Sequence, residues 1–258
     1  MTATTPGERP AITRAFADDL FAGRTVLVTG GTSGIGLGCA TAFAAIGARV
    51  VATGATAAEC ERAAAAEGDR ISFVPLDVRD GDGIGRVIAG LERLDVLVNA
   101  AGVIRRDVEF QPETFADVVD INLNGTMRVC AAAKARLAQA GGGAVVNIAS
   151  MLSFFGGPRM PAYSASKGGI AQLTKSLAAA WAADGIRVNA VAPGWIATPL
   201  TAELQNDEAR SSAILSRTPM GRWGTPEDVA GGALFLASPA ARFITGAILA
   251  IDGGYLTV

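Results

Sequence analysis

The sequence predicts an α/β protein: a single-domain, doubly wound, seven-stranded parallel sheet with helices on both faces. Three observations predict it. Short β-branched runs alternate with longer Ala-rich stretches from Arg24 to the C-terminus, the rhythm of repeated βα units. The runs are continuously apolar, as in Val26-Leu27-Val28, which suits strands covered on both faces rather than one wet face. No Pro/Ser linker, internal repeat or low-complexity block divides the chain. Its 258 residues, 50% hydrophobic and 18% charged, can bury roughly three quarters of their unfolded surface without disulfides or structural metals.

Taken in order, strands are expected at Thr25–Thr29, Arg49–Thr53, Ile71–Leu76, Asp95–Val98, Ala144–Ala149, Ile186–Val191 and Ala247–Ile251. Helices are expected between them, near 35–46, 57–67, 82–91, 113–139, 161–183 and 226–237. Right-handed crossovers leave few topologies for such a series. Residues 1–22 read as a loosely held N-terminal extension and 23–258 as the one domain. Two stretches break the rhythm: a polar loop at 102–112, and a segment rich in Pro, Gly, Thr and Arg at 193–225. Both follow strand C-termini, where open α/β sheets bind ligands, and 195–225 is expected to close over a substrate as a lid.

Composition removes several chemistries. The chain has no His, so it holds no Ser-His-Asp triad, Cys-His nucleophile or His-ligated metal. Tyr, Lys, a carboxylate or a cofactor must move its protons. A net charge of −2 argues against a nucleic-acid partner, which needs a broad basic face. Cys39, Cys60 and Cys130 lack metal-ligand spacing and cannot all pair with one another; they read as reduced thiols in a cytoplasmic setting. Residues 1–24 carry no apolar run of signal-peptide type, and no later run of about 18 apolar residues suggests a membrane partner.

Two motifs carry chemistry. The first strand runs into Thr29-Gly30-Gly31-Thr32-Ser33-Gly34-Ile35-Gly36 and then a helix, so backbone N–H groups and a helix N-terminus can face a pyrophosphate. With a second strand following at Arg49–Thr53, the context favours Rossmann-like dinucleotide binding over a simple tight turn. The second motif is Tyr163-Ser-Ala-Ser-Lys167, which puts Tyr and Lys on one helix face. The chain has two Tyr and three Lys. A chance pair at that spacing has a probability of about 0.02. A nearby ammonium and a cationic nicotinamide are expected to lower the phenol pKa toward working pH, giving an acid/base device without His.

Together these residues resemble the short-chain dehydrogenase/reductase family, over nearly the whole chain from residue 24. Besides the two motifs, the resemblance rests on Asp77-Val78, Asn99-Ala-Ala-Gly102, Asn122 in Ile-Asn-Leu-Asn-Gly, Ser150 ending Asn-Ile-Ala-Ser, and Pro193-Gly194 with Thr198. Ala100 departs from the Asn common at its place. The resemblance implies a catalytic tetrad. Ser150 would orient the substrate oxygen, Tyr163 exchange its proton, Lys167 bind the nicotinamide ribose and lower the Tyr pKa, and Asn122 hold a water relay. NAD or NADP would contact Gly30, Thr32, Ser33, Gly34, Ile35, Gly36, Gly54, Asp77, Val78, Asn99, Ala100, Gly102, Tyr163, Lys167, Pro193, Gly194, Ile196 and Thr198.

A narrower resemblance lies in Gly102-Val-Ile-Arg-Arg106, in the segment 147–157 and in Gly221-Arg-Trp-Gly224. These are similar to the family's 2-deoxy-D-gluconate 3-dehydrogenase and gluconate 5-dehydrogenase groups, which interconvert a secondary alcohol and a ketone on a sugar acid. The implied partner is a small anionic hydroxy or keto substrate held by Arg105, Arg106, Arg159 and Trp223 beside Ser150 and Tyr163. Two other functions stay open: a 3-oxoacyl carrier-protein reductase, and a nucleotide-sensing module without catalysis. The second strand ends Thr53-Gly-Ala-Thr56, with neither an acid for a ribose 2′-OH nor an Arg for a 2′-phosphate. Both cofactors are therefore expected, with a lean to NAD taken from the resemblance. The resemblance also implies a homotetramer in which helices 113–139 and 161–183 form a four-helix interface, with Ala178→Asp as an interface probe, and 251–255 packs across another axis.

Overall fold

The computed structural model describes residues 10–67 and 71–258. Seven strands form one sheet: β1 (Thr25–Thr29), β2 (Arg49–Gly54), β3 (Ile71–Pro75), β4 (Val96–Asn99), β5 (Ala144–Ile148), β6 (Arg187–Pro193) and β7 (Ile248–Ile251). All pair in parallel, in the order β3-β2-β1-β4-β5-β6-β7. The reversal of winding falls between β1 and β4, so the loops leaving those two strands open a crevice at their C-terminal ends.

Strand alternation divides the core in two. Val26, Val28, Val50, Ala52, Val96 and Val98 face one way, onto α1 (Gly34–Ala45) and α9 (Pro226–Ala237) through Phe43, Ile46, Val229 and Leu234. Leu27, Val51, Leu97, Val145 and Val188 face the other way, onto α3 (Gly81–Ala89), α5 (Gly125–Gln139) and α6 (Pro161–Trp181). Both faces are dry, which is why the strands read as unbroken apolar runs. Helix α1 packs closely on α9: a Cβ on Gly38 would lie 2.6 Å from Pro226 Cβ. Helix α2 (Ala57–Glu67) covers the β2/β3 edge.

Three expectations needed correction. The single helix at 113–139 is instead α4 (Pro112–Val119), a π-helical turn (Asp120–Asn124) and α5, and the wide turn carries Asn122. The long segment 193–225 contains α7 (Ala202–Asn206) and α8 (Glu208–Ser216). Ala178 is also not an interface residue of the free chain. It is 3% exposed and packs inside its own domain with Leu177 and Trp181. Of the extension 1–22, residues 1–9 lie outside the described residues. From Pro10 onward the chain lies on the core, where Phe21 meets the Phe43 ring edge-on at 5.0 Å. Among the described residues no helix is long and apolar enough to cross a membrane.

Candidate active site

The turn from β1 to α1 is built by glycine. Gly30 and Gly34 have positive φ (63° and 52°), and a Cβ on Gly30 would lie 2.6 Å from the Ala101 backbone. A Cβ on Gly36 would lie 2.1 Å from Gly30 O, so only glycine lets the turn fold onto its helix. Ser33 is the N-cap of α1, yet its side chain makes no capping bond. The first amides of a twelve-residue helix are thus left without a side-chain acceptor, beside a crevice whose floor is backbone. That cradle fits the pyrophosphate of a dinucleotide. Thr32 packs against Gly54, where a Cβ would meet Thr32 Cγ2 at 2.6 Å and Glu59 Cβ at 3.2 Å. Beyond them Asp77 pairs with Arg79 at 2.7 Å, which holds its carboxyl below the usual range, and Val78 is buried under Gly125.

On the other side of the crevice, α6 presents Tyr163 and Lys167. Lys167 Nζ is buried, donates to Ile148 O at 2.6 Å and lies 5.6 Å from the Tyr163 ring centroid. Burial pulls its ammonium down to about 8. Gly102 makes room for Asn122: a Cβ there would lie 3.2 Å from Asn122 Oδ1, while Lys167 Nζ would be at an ordinary 3.8 Å. Asn122 is fully buried; its Oδ1 accepts from Val103 N–H at 2.8 Å, and its Nδ2 donates to Val103 O at 2.9 Å and Ser166 Oγ at 3.1 Å. Its carboxamide is thereby spent on fixing the loop after β4 to α6. Ser150 caps the turn after β5, accepting from Leu152 N–H at 3.2 Å, and its hydroxyl lies close enough to the Tyr163 phenol to favour the phenolate.

The Tyr163 phenol differs from expectation. Burial raises its pKa, and this outweighs the lowering by the Ser150 hydroxyl and by Arg106; the Glu109 charge raises it further. Lys167 does not offset this within the protein itself, because its own charge is disfavoured by the same burial.

Ser150 and Tyr163 open onto a cleft of about 450 Å³ shared with Ile35, Arg106, Pro193, Gly194, Trp195, Ile196, Thr198 and Tyr255. Two cations line it, Arg106 and Arg217, and the Arg217 guanidinium lies 4.5 Å over the Tyr255 ring; Arg106 is the one with an unsatisfied donor among the described residues. Its Nη1 reaches Leu200 O at 3.4 Å, while Nε is buried without a hydrogen-bond partner among the described residues. Desolvation lowers its pKa. A second cleft, of about 500 Å³ between β2, β3 and α3, reaches Ala55 and Asp77 but none of the four tetrad positions. The chemistry therefore points to the cleft at Tyr163.

Several expected residues stand apart from it. Arg105 pairs with Asp117 at 2.9 Å, and Arg159 with Asp107; neither lines the cleft. Trp223 stands behind the wall, donating to Ser211 Oγ at 2.9 Å and meeting Trp195 edge-on at 6.0 Å. The side chain of Asn99 turns into the core, donating to Asn147 Oδ1 at 2.9 Å and Cys130 Sγ at 3.2 Å, while Ala100 packs beside Gly36. Sequence reasoning missed Trp195, Tyr255 and Glu109. Trp195 follows the Pro193-Gly194 pair directly, which was the available signal.

Comparison with known proteins gives a consistent picture. A family model described as enoyl-(acyl carrier protein) reductase matches residues 30–256. The chain is 43% identical over 242 residues to a 2-dehydro-3-deoxy-D-gluconate 5-dehydrogenase of Bacillus subtilis (strain 168), covering 91% of this chain and 95% of the relative. It is 38% identical over 247 residues to the gluconate 5-dehydrogenase of Gluconobacter oxydans (strain 621H), covering 92% and 96%. Among solved structures, a proposed 2-deoxy-D-gluconate 3-dehydrogenase from Agrobacterium tumefaciens with bound NADP superposes with a TM-score of 0.83 at 46% identity, covering 92% of this chain and 98% of that one.

Proposed function

The chain belongs to the short-chain dehydrogenase/reductase family and is an NAD(P)-dependent oxidoreductase, and from that premise we propose that it interconverts a secondary alcohol and a ketone on a sugar acid. One observation carries the substrate class: the buried, unpartnered Nε of Arg106 lies in the same cleft as the Ser150 and Tyr163 hydroxyls. A carboxylate on Arg106 would hold the sugar chain with a carbinol carbon toward those two hydroxyls. Relatives named for 2-dehydro-3-deoxy-D-gluconate and gluconate support the same class.

Ser150 hydrogen-bonds the substrate oxygen, and Tyr163 takes the carbinol proton in oxidation or returns it in reduction. Bound nicotinamide supplies the hydride chemistry. Lys167 donates to Ile148 O and would hold the nicotinamide ribose, and Asn122 locks Val103 to Ser166 beside Tyr163. The glycine turn, Ser33, Gly54, Asp77 and Val78 are assigned to the adenosine half. Both nicotinamides are accepted on this reading, because β2 ends without an acid or base. The lean to NAD finds no support in the comparisons, two of which carry NADP. The protein is assigned to the cytoplasm, in keeping with three buried free thiols, and to a homotetramer. Residues 23–258 are assigned to one catalytic domain.

A screen of sugar acids, polyols and β-ketoacyl thioesters with both nicotinamides tests the assignment. Turnover of a sugar acid with kcat/KM at least tenfold above the others is expected, and thioester preference overturns it.

A further inference from the structure

Asp95 and Glu109 are the two buried carboxylates among the described residues. Asp95 is neutralised by Arg24 and Arg93 at 2.7 and 2.6 Å. Glu109 is satisfied differently, through backbone. Its Oε1 accepts from Arg105 N–H and its Oε2 from Tyr163 N–H, both at 2.8 Å, with the side chain fully buried. Met160, the N-cap of α6, makes no side-chain capping bond, so Glu109 supplies a cap from a loop more than fifty residues away. A buried charge is a costly way to cap a helix, since Ser, Thr or Asn at position 160 would do it locally. Unlike such a local cap, Glu109 also joins two segments, beside the ties that Asn122 makes from Val103 to Ser166 and Asp107 makes to Arg159. One oxygen holds the loop whose next residue is Arg106; the other holds the turn that carries Tyr163.

We infer that Glu109 is a positioning residue of the reaction: its carboxylate clamps the Arg106 loop to the first turn of α6 and fixes the distance between the anion-binding and proton-moving groups. This rests on the reading of the cleft given above. The charge acts on Tyr163 as well. Tyr163 is faced by the Ser150 hydroxyl, by Arg106 and by Glu109, with Lys167 on its own helix, and Arg106 is in turn faced by Arg159, Glu203 and Arg210. Of the charged groups facing the phenol, Glu109 is the one that disfavours phenolate.

Glu109→Gln and Glu109→Asp separate tether from charge. Gln turns its amide toward one of the two N–H groups and removes the charge. Its kcat on the sugar acid that wild type oxidises is expected to fall about tenfold or more, with a raised KM, and the pH midpoint of oxidation to move down by about half a unit or more. Asp keeps the charge but cannot span both N–H groups: kcat falls while the midpoint stays. NADP affinity, read by tryptophan fluorescence, is expected to remain within about twofold in both. The protein has only two tyrosines. In a Tyr255→Phe background, tyrosinate absorbance therefore reads Tyr163 alone and is expected to show the same downward shift for Gln, independently of any substrate. Unchanged kcat, KM and midpoint in Gln, or losses in both variants that merely track melting temperature with no shift, would overturn the inference. If Gln does not fold, Asp decides by a kcat loss at wild-type melting temperature. A wild type inactive on sugar acids would sink the substrate assignment, while the tyrosinate titration still reports on Glu109.

Discussion

Tyr163 and Lys167 show how one buried environment acts oppositely on two groups. Desolvation raises the phenol and lowers the ammonium, so both are driven toward their neutral forms. Tyr163→Phe removes only the proton carrier, and turnover is expected to fall by about 10²–10⁴-fold with NADP affinity nearly unchanged, as steady-state rates and fluorescence titration will read. Lys167 carries a stability consequence. Its pKa falls from 10.5 to about 8, so the folded protein binds fewer protons than the unfolded chain between those values. Stability therefore rises with pH across that window, and below about 8 the full penalty, roughly 3 kcal/mol, is present. Lys167→Met is expected to melt several degrees higher at pH 7, less about 1 kcal/mol for the unpaired Ile148 O, while losing activity and cofactor affinity. Melts at pH 7 and near pH 10 check it, the advantage shrinking at the higher pH. The Tyr163–Lys167 pair was legible because, without His, few residue types can carry protons, and the structure does set the two side by side. Glu109 was not, because its partners are backbone groups distant in sequence.

At the scale of elements, the central strands were readable because they are dry on both faces, whereas the edge strands β3 and β7 are partly exposed; the ends of all seven were placed within a few residues. The π-helical turn was not, since one widened turn leaves the apolar repeat of 113–139 almost intact. It matters because it places Asn122 in the interior, where it braces Val103. The β1–α1 turn makes a sharper demand. Gly36→Ala puts a methyl 2.1 Å from Gly30 O, against backbone that cannot rotate away. A loss of about 2 kcal/mol or more in stability and at least tenfold in NADP affinity is expected, measured by denaturant unfolding and fluorescence titration. The segment after β6 is pinned at its two ends, where Ala197 N–H donates to Gly224 O at 2.8 Å and Gly224 N–H to Trp195 O at 2.9 Å, with short helices between. Arg106 reaches Leu200 O at 3.4 Å, and α7 is five residues long. Hydrogen exchange is expected to slow across 195–225 when NADP and substrate bind together; equal protection in both states would exclude a lid.

For the whole molecule, the surface argues for assembly. Phe110, Phe115 and Met127 are exposed along the α4–α5 side, and Phe243 and Leu249 around the β7 edge. An apolar edge strand left open invites pairing with another chain, and natural proteins cover such edges. Two separate apolar faces on one subunit are what dihedral symmetry uses, so the proposed homotetramer accounts for both. Ala178 cannot probe it, because a charge there would enter the subunit's own core and unfold it. Ala131 on α5 and Leu249 on β7 are exposed instead. Ala131→Asp and Leu249→Lys should therefore leave each subunit folded while breaking one face apiece, giving dimers singly and monomers together by light scattering. Helix α6 carries Tyr163 and packs against the π-helical turn and α4, so the α4–α5 face lies next to the helix proposed to carry the proton-moving group. Loss of that face is expected to lower kcat and melting temperature together, with a concentration dependence that the β7 variant shares only in stability. A monomeric double variant with wild-type kcat would separate assembly from catalysis.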